Sequence, residues 1–318
     1  MNTLMRMMVT GALFGACVAQ AAPLAYVPNE KDGTVSVIDT STDKVAYTLP
    51  DSGKFGRKIQ ATAMDPSGKF LFVVVRDDNA VAMIDLVTRK EVQRVKVGDE
   101  PEGISISPDG KVLSACLEED DAVSFVDLSS FKLVHTAKTQ GKNPEHCVYS
   151  PDGKWLLASN EESNNVDVID TTTHKSVALI QATKHPRGVG FSPDGKVAYI
   201  ANEAANLLEY VKVGEWKVYA STKVGTRSNG VAVAPDGKHI YVSNGGDGAV
   251  SVVEAQSGKV VKTIKVGERP WNMAFTPDGK KLYVANGRSN SVSVIDTALG
   301  KVIATVPVGK LPWGVVVH

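Results

Sequence analysis

Three things are scarce in this chain of 318 residues. Cysteine occurs three times, aromatic residues make up 6%, and neither charge dominates: 35 Lys plus Arg face 35 Asp plus Glu. A balanced charge excludes the broad basic footprint of a general nucleic-acid binder. So few cysteines exclude a disulfide-stapled scaffold. No CxxCH occurs, so no c-type haem is covalently attached, and no CxxC or HxxxH spacing offers a zinc site. A G-x-S-x-G elbow and a phosphate-cradling glycine loop are likewise missing. Beyond the N-terminus no run of eighteen apolar residues exists, so no later segment has the length of a membrane-spanning helix.

The N-terminus differs from the rest. Arg6 is followed by an apolar stretch from Met7 to Ala19, and Ala19-Gln20-Ala21 presents small residues where a signal peptidase reads them. This predicts a secretory signal peptide over 1–21, cleavage after Ala21, and a periplasmic protein spanning 22–318. Lipidation at Cys17 is disfavoured by Phe14 and Gly15. Loss of Arg6 leaves 34 basic against 35 acidic residues, a net charge of −1. Cys116 and Cys147 remain; an oxidising compartment permits a bridge, and buried free thiols are the alternative.

What is abundant is repetition. A turn written DPSG, SPDG, APDG or TPDG ends at Gly68, Gly110, Gly153, Gly195, Gly237 and Gly279. Its Pro presets φ, its Asp or Ser bonds the local backbone, and its Gly accepts positive φ. Around each turn runs the same pattern: a short alternating segment, the turn, a segment such as KKLYVAN, a polar loop, SVSVIDT, a second turn, and GKVIATVPVG. Period-two alternation of Val and Ile between turn signals predicts four antiparallel strands per repeat, here A to D, and no helical period competes.

Six repeats carry the A–B turn. The N-terminal LAYVPNEKDGTVSVIDT continues as B, C and D without A, and the C-terminal PWGVVVH is A alone. Together they supply a seventh unit, and seven units of this length account for nearly all of 22–318. Four-stranded units at this period predict a seven-bladed β-propeller around a central channel. The last A strand closes the ring on the first B strand, leaving no open edge. The protein is expected to be a monomeric single domain.

The recurring YVAN, YVSN and YVPN, with SVIDT and VG-x-x-P, resemble the YVTN family of β-propeller repeats over the whole of 22–318. The segments NEKDGTVSVIDT and VGERPWNMAFTPDG resemble a narrower group of seven-repeat propellers associated with pyrroloquinoline quinone (PQQ)-dependent alcohol catabolism. That resemblance implies an accessory role beside PQQ chemistry, without the dehydrogenase itself.

Alternating strand direction places A–B and C–D turns on one face and B–C and D–A loops on the other. The second face carries the variable residues, where function concentrates. Six places before each turn proline lie Gln60, Glu102, Glu145, Arg187, Asn229 and Trp271, with Trp313 in register on the last strand. These are expected just before strand A, ringing the channel mouth as a ligand or partner site. A second ring, eight places after each turn glycine, holds Arg76, Glu118, Glu161, Glu203, Gly245 and Gly287, with Glu30 in the N-terminal unit. Repeated Asn29, Asn160, Asn202, Asn244 and Asn286 precede it and read as loop caps. The glutamates form an acidic sector expected to face a Trp271–Trp313 sector across the mouth. Glu118, Glu161 and Glu203 are weak candidates for Ca²⁺, which takes oxygen ligands, although no metal is predicted. His146 is a candidate proton carrier, and pairs conceivably with His185.

Four functions compete. The first is a non-catalytic periplasmic propeller binding a protein partner or small ligand at the mouth, with no cofactor. A second is a lactonase-type hydrolase, with Glu102, Glu145 and His146 as acid–base groups and Arg187 polarising the carbonyl. Some seven-bladed propellers of similar repeat sequence hydrolyse sugar lactones. A carrier of d1-type haem, ligated through His146, is the third. Single-stranded nucleic acid stacked on the two tryptophans is the fourth, opposed by the neutral charge.

Overall fold

The computed structural model describes residues 22–318, so the expected signal peptide and Cys17 lie outside the described residues. Seven four-stranded antiparallel sheets follow one another as blades. The inner A strands of blades 2 to 7 are Ile59–Met64, Pro101–Ile106, Pro144–Tyr149, Pro186–Phe191, Ser228–Val233 and Pro270–Phe275. Apart from one turn of 3-10 helix at Arg76–Asp78, the described residues hold only strands and connections.

Blade 1 is built from both ends of the chain. Val316–Val317 pairs antiparallel with Leu24–Asn29, with Ala25 opposite Val317 and Tyr26 opposite Val316. Leu24 and His318 exchange backbone hydrogen bonds of 2.8 and 3.0 Å, and Trp313 N–H donates to Pro28 O at 3.0 Å. Lys281 of blade 7 adds an ion pair to Asp43 of blade 1 at 2.7 Å. Ring closure is therefore as the repeat pattern predicts.

Each blade alone exposes apolar faces, and stacking buries them. Seven buried clusters result, one per blade interface: Tyr26, Val35 and Leu49 meet Leu71 and Val73 between blades 1 and 2, and Ala25 and Val27 meet Tyr283 and Val292 between blades 1 and 7. Outer strands open with a lysine in six of the blades, for example Lys44, Lys90 and Lys301, and this charge blunts the outer sheet edges.

The A–B turns also interlock. A Cβ on Gly153, Gly237 or Gly279 would lie 3.2–3.5 Å from the turn proline of the preceding blade. Blade 1 has no such turn, and the ring of His318 takes the proline's place against Gly68, its Nε2 lying 3.3 Å from Pro66 O.

Inner strands converge at the mouth because small residues allow it. A Cβ on Gly103 would collide with the backbone carbonyl of Glu145, and one on Gly188 with that of Asn229. Glycine at these positions lets neighbouring backbones approach, so the mouth is narrow.

Candidate functional site

Six ring residues, Gln60 to Trp271, sit one place inside the A strands, not before them, each at a register break, whereas Trp313 precedes its strand Val316–Val317. In blade 3, Pro101 pairs with Leu117 and Ile104 with Ala115; in blade 4, Pro144 pairs with Asn160 and His146 with Ser159. Such bulges re-aim side chains. Here they turn Gln60, Glu102, Glu145 and Asn229 into the channel while leaving them at most 6% exposed.

Four ring residues, Glu102, Glu145, Arg187 and Trp271, meet the residue sixteen places on, at the start of their own B–C loops. Arg187 Nη1 is 3.1 Å from Glu203 Oε2. Glu102 stands beside Glu118, and Glu145 beside Glu161. Trp271 lies over Gly287, where a Cβ would stand 2.6 Å from the indole. In these four blades the two rings inferred from the sequence are thus one paired structure.

Arg187 is the electrostatic centre. Its Nη2 is 2.7 Å from Glu145 Oε2 and 3.6 Å from Glu102 Oε1, and its Nη1 also lies 3.6 Å from Glu161 Oε1. Arg76 crosses from blade 2 to blade 3, with Glu102 at 3.0 Å and Glu118 at 2.6 Å, and also binds Glu100. Glu203 takes Arg227 at 2.9 Å and Arg269 at 3.0 Å. The glutamates therefore do not form a bare acidic sector: guanidiniums are interleaved with them.

The carboxyls diverge in proton affinity. Burial, the hydrogen bond to Glu118 and its charge push Glu102 well above the ordinary range against the pull of Arg187. Burial and the charge of Glu102 do the same to Glu145. Burial would also raise Glu161, but Glu145, Arg187 and His185 hold it down to about 2. Glu102 and Glu145, whose carboxyl oxygens lie within 4.8 Å of each other, thus form a pair that retains a proton between them. Burial and Arg187 depress His146 to about 3, so its imidazole is neutral.

Trp313 and Trp271 both line the mouth, with Trp271 packed against the buried cluster that contains Trp313. Trp313 is 9% exposed, belongs to the core between blades 2 and 3, and stacks on His146 of blade 4 from across the channel, centroids 5.4 Å apart at 27°. His146 does not pair with His185, whose Nδ1 lies 2.9 Å from Glu161. Cys116 and Cys147 are buried free thiols.

The sequence reading missed a third ring. Two places before each inner-ring residue stand Lys58, Glu100, Asn143, His185, Arg227, Arg269 and Leu311, all with φ between 47° and 60°. Side chains in this left-handed region are uncommon outside glycine, and at sites they mark function. Their carbonyls accept from the second-ring N–H groups, as from Glu203 to His185 at 2.8 Å and from Glu30 to Leu311 at 3.0 Å. The clue in the sequence was a polar residue, in six of the seven blades, where a turn would ordinarily take glycine.

The Asn caps behave as expected. Asn286 Nδ2 donates to Ser293 Oγ at 2.9 Å while its Oδ1 accepts from Gly267 N–H at 3.1 Å, and Asn244 does the same with Ser251 and Gly225.

A cavity of about 150 Å³ remains at the mouth, lined by Gln60, Glu102, His146, Arg187, Asn229, Arg269 and both tryptophans, with Glu30 at its edge. Four buried atoms in this lining have no protein partner: Gln60 Oε1, Arg187 Nε, Asn229 Nδ2 and Arg269 Nη1. Buried polar atoms are almost always satisfied. Orphans converging on one small space indicate a polar ligand or ordered water there.

Glu118, Glu161 and Glu203 do not converge as metal ligands among the described residues; each is held by arginine. Glu102, Glu145 and His146 do bring ligand atoms within 4.8 Å of one another, but the Arg187 guanidinium already serves as their cation. A tetrapyrrole would need more room than the present cavity of about 150 Å³ and a displacement of the Trp313–His146 stack.

The fold and the site define a seven-bladed β-propeller with a buried acid pair and an arginine at its channel mouth. The family described as lactonase, 7-bladed beta-propeller, matches residues 170–313, and the cytochrome D1 heme domain family matches residues 20–118. Among solved structures, a Kuenenia stuttgartiensis hydrazine synthase is 26% identical, with a TM-score of 0.79 over 91% of this chain and 99% of that one. A putative 6-phosphogluconolactonase from Bacteroides uniformis is 19% identical (TM-score 0.78, 94% and 100% covered). The Pseudomonas aeruginosa periplasmic gluconolactonase PpgL is 20% identical (TM-score 0.77, 93% and 98% covered). The latter two share the fold. No curated protein is significantly similar.

Proposed function

We propose that this protein is an exported, periplasmic hydrolase that opens a small lactone at the channel mouth. The observation that carries the reading is the proton-retaining Glu102–Glu145 pair standing beside unpartnered donors on Arg187 and Asn229. The lactonase match over 170–313 supports it.

The lactone carbonyl oxygen accepts from Arg187 Nε and Asn229 Nδ2, which stabilise the charge that develops there. The ionised member of the acid pair takes a proton from the attacking water. The protonated member gives its proton to the ring oxygen as the C–O bond breaks. One water is consumed and a hydroxy acid leaves. His146, neutral and stacked on Trp313, lies within 4.8 Å of both carboxyls and adds no charge beside them.

An accessory role in PQQ-dependent catabolism, implied by the repeat resemblance, would need the mouth only as a gripping surface and gives the buried acid pair no task. Turnover of a lactone panel, with and without Ca²⁺, tests the proposal. Opening of at least one lactone, lost in Glu145→Gln, is expected; binding of a partner with no turnover would favour the accessory role. A haem-coloured protein purified from its own periplasm would favour the cofactor-carrier reading.

A further inference from the structure

The mouth carries more negative charge than positive. Four arginines, Arg76, Arg187, Arg227 and Arg269, are already engaged by glutamates. The glutamates at the mouth number seven once Glu30, which lines the cavity, joins the six in ion pairs, so the carboxylates outnumber the guanidiniums even with a proton kept by the Glu102–Glu145 pair. An anion entering the cavity would face this excess with no uncommitted cation to receive it.

The orphaned atoms describe a complementary shape. Arg187 Nε, Arg269 Nη1 and Asn229 Nδ2 are donors and ask for oxygen acceptors. Gln60 Oε1 is an acceptor and asks for an O–H or N–H, which a phosphate dianion or carboxylate does not offer. Gln60 and Asn229 are 6% and 2% exposed, so these amides are built into the wall and are not surface groups. Hydroxyls donate and accept at once, and satisfy both kinds. Trp271, partly exposed at the cavity, offers the flat apolar face on which the C–H side of a sugar ring rests.

We infer that the mouth is specific for an uncharged, polyhydroxylated ring, so that the substrate under the hydrolase reading on which this rests is a free sugar lactone and phosphorylated or otherwise acidic lactones are rejected. Gln60 and Asn229 are then the residues that read hydroxyls, while the surplus glutamates exclude anions.

Binding and turnover test this separately. Glucose and glucose 6-phosphate serve as ring analogues that cannot be hydrolysed, titrated into the protein by calorimetry. Glucono-1,5-lactone and its 6-phosphate are compared as substrates. Neutral compounds are expected to be favoured over their phosphates on the order of 100-fold, the scale set by one unit charge a few ångströms from an uncompensated carboxylate. Glu30→Gln, which removes a carboxylate that lines the cavity and has no ion-pair partner among the described residues, should narrow that ratio roughly tenfold. Equal or tighter binding of the phosphates would overturn the inference even if the lactones are opened. Binding of glucose with no turnover of either lactone would support the inference and defeat the hydrolase reading. Binding of neither sugar, with neither lactone opened, would defeat both.

Discussion

Trp313 of the closing strand stacks on His146 of blade 4, ring centroids 5.4 Å apart, so the last aromatic residue of the chain bridges the channel to its far side. Ring closure and site assembly are therefore one event. The residue that finishes blade 1 also desolvates the imidazole next to the acid pair.

That contact predicts how His146 titrates. Burial and Arg187 hold it neutral down to about pH 3. Trp313→Ala should admit water and raise its pKa toward the ordinary value of about 6.5. NMR titration of the imidazole checks this. An unchanged value in the variant would mean that Arg187 alone keeps His146 neutral.

Deleting Leu311–His318 removes the strand that pairs with Leu24–Asn29. The exposed edge of blade 1 should then unfold or aggregate the protein. Light scattering and a melting curve report it. A monomeric truncation with unchanged Tm would show that the two ends do not hold the ring together.

Glycine at 103 and 188 permits the close approach of inner strands. Gly188→Ala should cost about 1–3 kcal/mol, the usual range for overpacking, with recoil of the Asn229 backbone. Urea unfolding of the single variant measures it; a cost near zero would mean the inner strands have slack.

Glu102 has a pKa raised by folding, chiefly through burial. A group of this sign stabilises fully below its unfolded pKa, and that contribution is lost as pH rises through the folded value. Glu102→Gln mimics the protonated acid at every pH. Its stability relative to wild type should therefore increase as pH rises above the unfolded carboxyl range. Glu161, held to about 2, behaves oppositely: its contribution is present above the unfolded pKa and fades as pH falls toward 2. Stability curves of both Gln variants between acid and neutral pH separate the two signs.

The fold was legible because a propeller repeats its scaffold. The PDG turns, the Asn caps and the split seventh unit each show a constant residue for a constant local need. The inner ring from Gln60 to Trp313 was legible for the converse reason: it varies where its surroundings do not. What escaped was contact between rings. Arg187 reaches Glu102 across two blades, Arg269 reaches Glu203 across two more, and Trp313 crosses the whole channel. Repeat spacing fixes where a backbone lies but not how far a long side chain extends over a neighbouring glycine such as Gly245. For the same reason the sequence suggested an open acidic sector where the structure has guanidiniums between carboxylates.

The most direct measurement is the rate of proton release as glucono-1,5-lactone opens, followed at mildly acidic pH where spontaneous opening is slow, for wild type, Glu145→Gln and Arg187→Lys. The account predicts enzymatic opening by the wild type and losses on the order of 100-fold or more in both variants, since one lacks a member of the acid pair and the other the planar donor at the carbonyl. A wild type no faster than buffer, or variants as fast as the wild type, would contradict it.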